Sequence, residues 1–274
     1  MRATACKMGI VLLAATAVVF MGAGCKPEPE EPGAAPATTP KEEVVKPVAA
    51  PGAFEAFKSK VSVPAVMVPL VSKAPAIDGQ LDAAYKACQP MTFKFITGLE
   101  AKPTAPTTAY AVTTGKELFL FFDCQSPDMD ALQANVTEHD GQVWNDDCIE
   151  MFIDPTNKRQ IDGYMHIIIN TLGTTAESKG PSGAEDYSWD PKLRLKAVKG
   201  AKGWTLEVAF PLADLLPDPG KINRVWAVNL NRMAYLIEGP EDTCWSPTET
   251  TSSHVPAKFG VFWLQAGNVD NTKD

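Results

Sequence analysis

The sequence predicts an all-β chain folded as an antiparallel two-sheet β-sandwich, and three observations carry that expectation. Short β-type runs follow one another across residues 65–264, Gly and Pro turns separate them, and no stretch sustains the 3.6-residue apolar period of a long amphipathic helix. The part available for folding is roughly 200 residues, enough for one large domain with its own core. An open barrel is the alternative closure for the same strands.

The chain does not begin with that domain. Arg2 and Lys7 form a short basic region, an apolar stretch follows from Ile10 to Phe20, and M-G-A-G-C ends at Cys25. The apolar run is short for a membrane span, and a Cys after Gly-Ala-Gly is where lipid attachment and cleavage fall. Residues 1–24 therefore resemble a bacterial lipoprotein signal, with Gly22 standing where such signals usually carry Leu and with an ordinary secretory signal or an uncleaved anchor as the alternative. Residues 25–64, rich in Pro, Ala and Glu, read as a lipidated Cys25 and an extended tether, residues 65–266 as the sandwich, and 267–274 as a polar tail. The expected location is extracytoplasmic, on a bacterial membrane through the lipid.

The runs, in order, are Ala65–Val71, Met91–Ile96, Thr108–Thr113, Leu118–Cys124, Asp147–Asp154, Tyr164–Asn170, Leu193–Val198, Trp204–Phe210, Val225–Met233 and Lys258–Leu264. Helical signal is confined to Asp78–Ala87, Asp128–Val136 and Pro211–Leu216, the last with Pro in its first turn. The polar, Gly-containing stretch Thr174–Pro191 around Trp189 reads as a long loop, a common place for a site beside a sheet. Trp204, Trp226 and Trp263 lie in alternating or apolar runs and are expected in the core.

Charge and cysteines narrow the function. A net charge of -8, with no clustered basic stripe, argues against nucleic acid as a partner. Of 6 Cys, Cys6 belongs to the leader and Cys25 to the lipid, leaving Cys88, Cys124, Cys148 and Cys244 in an oxidising compartment. A Cys124–Cys148 bridge is geometrically allowed if their strands are neighbours; two buried free thiols are the alternative.

The stretch V-W-N-D-D-C-I-E-M-F-I-D-P, Val143–Pro155, is the most informative. Period-two alternation puts Ile149, Met151 and Ile153 on one face and Cys148, Glu150 and Phe152 on the other, in phase with Trp144. The first face reads as core. The second aligns a carboxylate with an indole, a flat ring for the C–H face of a pyranose beside an acceptor for its hydroxyls. A soluble sheet edge with a rim tryptophan explains the same pattern.

In order along the chain stand A-I-D-G-Q-L-D-A-A-Y at Ala76, L-F-L-F-F-D-C at Leu118, W-N-D-D-C-I-E-M-F-I-D-P at Trp144 and G-W-T-L-E-V-A-F-P-L-A-D-L at Gly203. W-A-V-N-L-N-R at Trp226, C-W-S-P at Cys244 and H-V-P-A-K-F-G-V-F at His254 complete the series. The series resembles the family 9 carbohydrate-binding modules and their relatives with the DOMON-like sandwich, over nearly the whole domain. Tyr85 stands where that family commonly has Trp.

The resemblance implies non-catalytic binding of an oligosaccharide or polysaccharide between two aromatic rings. It makes Trp144 one platform, Trp245 or Trp189 the second with Trp245 favoured, and Glu150 the hydroxyl acceptor. His166 falls near the family's Arg, and an imidazole lacks the guanidinium fork. Asn170 and Arg232, or Asn231 in place of Arg232, complete the set, though Arg232 also reads as a buried charge paired to Glu150 or Asp147. Such modules usually accompany a glycoside hydrolase, here expected on another chain.

No cofactor or metal is expected. The family includes calcium-bearing members, and Asp154, Asn157 and Asp162 offer oxygens, but without a regular D-x-D-x-D-G loop they read as a solvated acidic turn. A glycosidase would require facing carboxylates, Glu150 with Asp147 or Glu207, and alternation sets Asp147 opposite Glu150. Haem ligation, known in some DOMON-like domains, would draw on Met151 and His166, but Met151 falls on the core face. No nucleophile elbow, triad or metal-binding helix motif is present.

Overall fold

The computed structural model describes residues 51–180, 184–216 and 223–265. The leader, Cys25 and the polar tail expected at 267–274 lie outside them. A helix, α1 (Pro51–Lys58), precedes the strands β1 (Ala65–Val68), β2 (Met91–Thr92), β3 (Lys94–Phe95), β4 (Thr107–Thr113), β5 (Glu117–Gln125) and β6 (Cys148–Asp154). There follow β7 (Met165–Asn170), β8 (Thr175–Lys179), β9 (Arg194–Lys199), β10 (Gly203–Pro211), the single turn α2 (Leu212–Leu215), β11 (Val225–Leu236), β12 (Gly239–Cys244) and β13 (Gly260–Leu264).

They form two sheets. One is 8-stranded, ordered β1-β13-β11-β6-β7-β8, with β12 and β3 continuing beyond β11; the other is 5-stranded, ordered β2-β4-β5-β10-β9. All the pairings between strands are antiparallel except β1 with β13, which run parallel. The two sheets, neither closed on itself, make the sandwich.

Alternation along the strands builds the core. Ile149, Met151 and Ile153 from β6, Ile167 and Ile169 from β7, and Val228 and Leu230 from β11 meet Leu118, Leu120, Phe122, Leu206 and Val208 from the facing sheet. Trp204 and Trp226 are buried there, whereas Trp263 is only half-buried. It is covered instead by Phe54 and Phe57 of α1, with ring centroids 6.1 and 4.9 Å away. Thus part of the stretch that composition assigns to the tether is helical and packed, because two aromatics among polar residues are enough to dock one face.

Other elements differ from the sequence reading for identifiable reasons. The run Met91–Ile96 divides at Phe93: β2 pairs with β4 in one sheet and β3 with β12 in the other, so the chain crosses between sheets. The expected helix at Asp128–Val136 does not form. Its backbone N–H groups at Gln133, Asn135 and Val136 donate instead to the carboxylates of Asp147 and Asp146, a non-local alternative to helical hydrogen bonds. Within the expected long loop, T-A-E-S-K forms β8 at a sheet edge, where a polar strand costs little. β12, G-P-E-D-T-C, likewise lacks an apolar alternation.

The A-I-D-G motif is tied down by Glu207, a buried carboxylate on β10 that accepts from the backbone of Asp78 and Gly79 (both 3.0 Å) and from Tyr85 Oη (2.9 Å). Burial raises its pKa, and the three donors pull the other way. Cys124 and Cys148 do not bridge. Cys124 lies on β5 and Cys148 on β6, in different sheets, and Cys88, Cys124, Cys148 and Cys244 are all buried free thiols. Burial pushes Cys88 up to about 11 and Cys124 and Cys244 up to about 12, which keeps them protonated and unreactive.

Two outcomes are expected. Alkylation of the unfolded chain without reductant adds a label to each of Cys88, Cys124, Cys148 and Cys244 by intact-mass analysis; a deficit of one pair would contradict the free-thiol assignment. Tyr85→Phe, which strips one donor from buried Glu207, lowers the unfolding free energy by about 1–2 kcal/mol in urea titrations.

Candidate functional site

The outer face of the larger sheet, away from the core, carries the site. Glu150 on β6, His166 and Ile168 on β7, and Ala176 and Ser178 on β8 share that face by register, since His166 pairs with Ser178 and Ile168 with Ala176. Together with Trp144, Glu185, Tyr187 and His254 they line a concavity of about 270 Å³. Trp144, 40% exposed, and Tyr187, 41% exposed, are the large aromatics open to solvent there.

Polar contacts from residues flanking β6 hold the walls at Trp144 and His254. Trp144 sits in a single 3-10 turn, Val143–Asn145, just before β6 rather than in the strand. The two aspartates after it fix that turn. Asp146, fully buried, accepts from Asn135 N, Val136 N and Asn170 Nδ2; Asp147 accepts from Gln133 N and, more distantly, from Tyr235 N. Burial raises the Asp147 carboxyl above its ordinary range. His254 arrives on a segment whose carbonyls at Pro256 and Phe259 accept from Arg159 Nη1.

The floor is an imidazole–carboxylate pair. His166 Nε2 lies 2.8 Å from Glu150 Oε2, and the side chains are 10% and 13% exposed. The His166 ring stacks on Phe152 at 4.2 Å and 15°, while His254 meets it edge-on at 5.0 Å. His254 Nδ1 is 2.7 Å from Tyr164 Oη, and burial, then the neighbouring His166, lowers its pKa. Near neutral pH His254 is an uncharged hydrogen-bonding wall. Asp242 on β12 shares this face through its register with Met233; burial, and secondarily the Glu150 charge, hold its carboxyl up at about 7.

The structure brings Trp144, Glu150 and His166 together and separates the other residues expected at the site. Asn170 is fully buried, bonded to Val136 O, Asp146 and the N–H groups of Leu172 and Thr174, so it supports the wall without reaching the cavity. Arg232 pairs in register with Ile149 and therefore points into the sandwich, where its Nη1 donates to Ala105 O, Thr107 Oγ1 and Gln125 O of the opposite sheet rather than to Glu150 or Asp147. Asn231, in register with Glu150, shares the outer face and donates to Ser253. Trp245 is buried against Phe262, so close to Gly260 that a Cβ there would lie 2.6 Å from the indole. Trp189 is half-buried with Lys179 Nζ 4.8 Å over its ring.

Tyr187, Ser178, Glu185 and His254 were not singled out by sequence reasoning as site residues. The Thr174–Pro191 stretch contains the first three and His254 opens one of the family-like motifs, so both segments carried a signal without the residue. Asp147 and Glu207 do not pair with Glu150: Asp147 is committed to backbone donors, and Glu207 belongs to the other sheet. Met151 and His166 occupy opposite faces, which removes a shared haem iron.

The expected acidic turn is not solvated at Asp154, which is fully buried and accepts from Thr156 N and Arg159 N. Among the described residues, the group whose ligand atoms converge within 4.8 Å is His139, Asp140 and Glu177. His139 Nε2 is 2.8 Å from Glu177 Oε2. An imidazole in that set suits a transition metal better than calcium, which takes oxygens.

The comparisons with known proteins agree with this architecture. The profile of the family described as Carbohydrate family 9 binding domain-like matches residues 77–266. A candidate carbohydrate-binding protein from Bacteroides uniformis is structurally similar at TM-score 0.58 and 16% identity, covering 74% of this chain and 100% of its own. A family 9 carbohydrate-binding module from Caldicellulosiruptor kristjanssonii in complex with cellotriose is similar at TM-score 0.55 and 15% identity, over 77% of this chain and 97% of its own. The glucose complex of a family 9 module from that organism gives TM-score 0.54 at 15% identity, over 76% and 100%. No curated protein sequence matches.

The raised Asp242 carboxyl fixes the sign of a pH effect. Between an unfolded value of about 3.9 and the folded value of about 7, the native state holds a proton that the unfolded chain has released. This group's contribution to stability is complete below about pH 4 and is lost as pH rises through about 7. Urea midpoints measured across that window therefore fall with rising pH, and the fall is shallower in Asp242→Asn.

Proposed function

The chain belongs to the Carbohydrate family 9 binding domain-like family, and on that premise we propose that its sandwich binds carbohydrate without transforming it, in the concavity between Trp144 and Tyr187. The observation that carries this reading is the convergence of two exposed aromatics on a floor bearing the Glu150–His166 pair. Aromatic faces stack on the C–H surface of a sugar ring, and the carboxylate, imidazole and Ser178 hydroxyl exchange hydrogen bonds with its hydroxyls.

At about 270 Å³ the cavity lies just below the ~300–1,000 Å³ range of small-molecule sites, which suits one sugar unit with any further chain outside it. One stacked ring and a few solvent-competing hydrogen bonds correspond to affinities of about micromolar to millimolar. Similar modules in complex with cellotriose and glucose support sugars of that kind as first ligands to test.

The remaining features set the context of the proposal. A lipid on Cys25 and the Pro-rich segment after it would hold the module outside the cytoplasm, at a membrane surface. It would capture saccharide for a hydrolase on another chain, in support of carbohydrate breakdown.

Calorimetric titration of the chain with glucose and cellotriose tests the site. Trp144→Ala and Tyr187→Ala are each expected to weaken binding about tenfold, from loss of a stacking face. Binding that ignores both substitutions would move the site elsewhere, and no binding by the unsubstituted chain across a broad glycan panel would refute the reading.

A further inference from the structure

We propose that His139, Asp140 and Glu177 form a binding site for a divalent transition-metal ion of the zinc class, at the β8 edge of the larger sheet. One imidazole nitrogen and one oxygen from each carboxylate lie within 4.8 Å of one another. None of the three residues lines the concavity, so the site is a second one and does not depend on the carbohydrate reading.

Two chain segments supply the donors, and backbone contacts hold those segments side by side. Asp140 N donates to Thr175 O at 3.0 Å, and Glu177 N donates to Asp140 Oδ1 at 3.3 Å. The loop bearing His139 and Asp140 therefore lies along β8. On β8 itself, Glu177 pairs in register with Ile167, a core residue, so it belongs to the inner row, whereas Ala176 and Ser178 line the concavity on the other face. Its side chain is only 3% exposed. A carboxylate buried in line with a core row needs strong compensation, and its side-chain partners are Thr175 and His139.

The donor geometry suits a small ion. His139 Nε2 is 2.8 Å from Glu177 Oε2, and His139 Nδ1 is 3.6 Å from Asp140 Oδ2. Zinc bonds of about 2.0–2.2 Å at tetrahedral angles set neighbouring ligand atoms about 3.3 Å apart, so the nitrogen–oxygen contact is close to one such edge. Glu177 is fixed by burial, while the His139 and Asp140 side chains, 53% and 31% exposed, have room to rotate onto the ion. A divalent cation there balances two carboxylates that lie together in a partly desolvated place. Calcium takes six to eight oxygens and gains little from an imidazole. A bound ion would clip the loop before Trp144 to the strand that carries Ser178.

The test is calorimetric titration of the metal-stripped chain, its accessible thiols alkylated, with zinc chloride at about pH 7.5. One equivalent of Zn²⁺ is expected to bind, and His139→Ala and Asp140→Asn are each expected to weaken that binding about tenfold or more. Both positions lie in a loop, and an unchanged thermal midpoint without metal verifies that the variants fold. Zn²⁺ raises the midpoint of the unsubstituted chain and leaves that of His139→Ala in place. Ca²⁺ in about tenfold excess does not displace the ion. Absence of Zn²⁺ binding, binding indifferent to both substitutions, or displacement by that Ca²⁺ overturns the proposal.

Discussion

The buried carboxylate of Asp146 is the constraint on which the site depends. It lies just before β6 with no exposure to water, and its oxygens are satisfied by two backbone N–H groups of the 133–136 segment and by the amide of Asn170. Asn170 in turn accepts from Leu172 and Thr174, the turn that starts β8. One charge thus joins the segment before Trp144, the strand carrying Glu150 and the hairpin carrying Ser178. An unpaired buried carboxylate would cost several kcal/mol, so these partners leave the three pieces little freedom to separate.

A division of labour between the faces of β6 and β7 follows. Their inner residues are apolar and interlock with the opposite sheet, which fixes the strands' spacing and twist. Their outer residues are then free to be polar. Glu150 and His166 lie across one strand pair, close enough to bond at 2.8 Å and shielded by Phe152 beneath and His254 beside the imidazole. The rings limit access of water to the pair without closing the cavity, so the pair stays fixed on its floor.

Period-two alternation placed Glu150 opposite the core correctly, because burial of Ile149, Met151 and Ile153 leaves a strand only one choice of face. The same alternation through Val228 and Leu230 puts Arg232 on the core face as well, but its acceptors at Ala105, Thr107 and Gln125 lie far away in the sequence, so no local pattern names them. Trp245 illustrates another limit: next to Gly260 an indole fits where any side chain would collide, and nothing local distinguishes that packed ring from an exposed platform. Tyr187 escaped notice for the complementary reason, since a tyrosine in a polar loop acquires meaning only when the loop folds back over the sheet.

By itself the sequence determined the two-sheet β class, the ordered family motifs, and the strand face on which Glu150 lies, because these follow from local alternation, turn chemistry and composition. It also placed Asp146 and Asp147 beside Trp144, but not their task of tying down a segment read as helical. Only the tertiary structure decided which polar residues support the cavity and which line it, that Tyr187 and His254 join Trp144 there, and that Cys124 and Cys148 lie in separate sheets. The physical reason is that strand register and loop return are set by contacts between residues far apart in the chain, which no local pattern specifies.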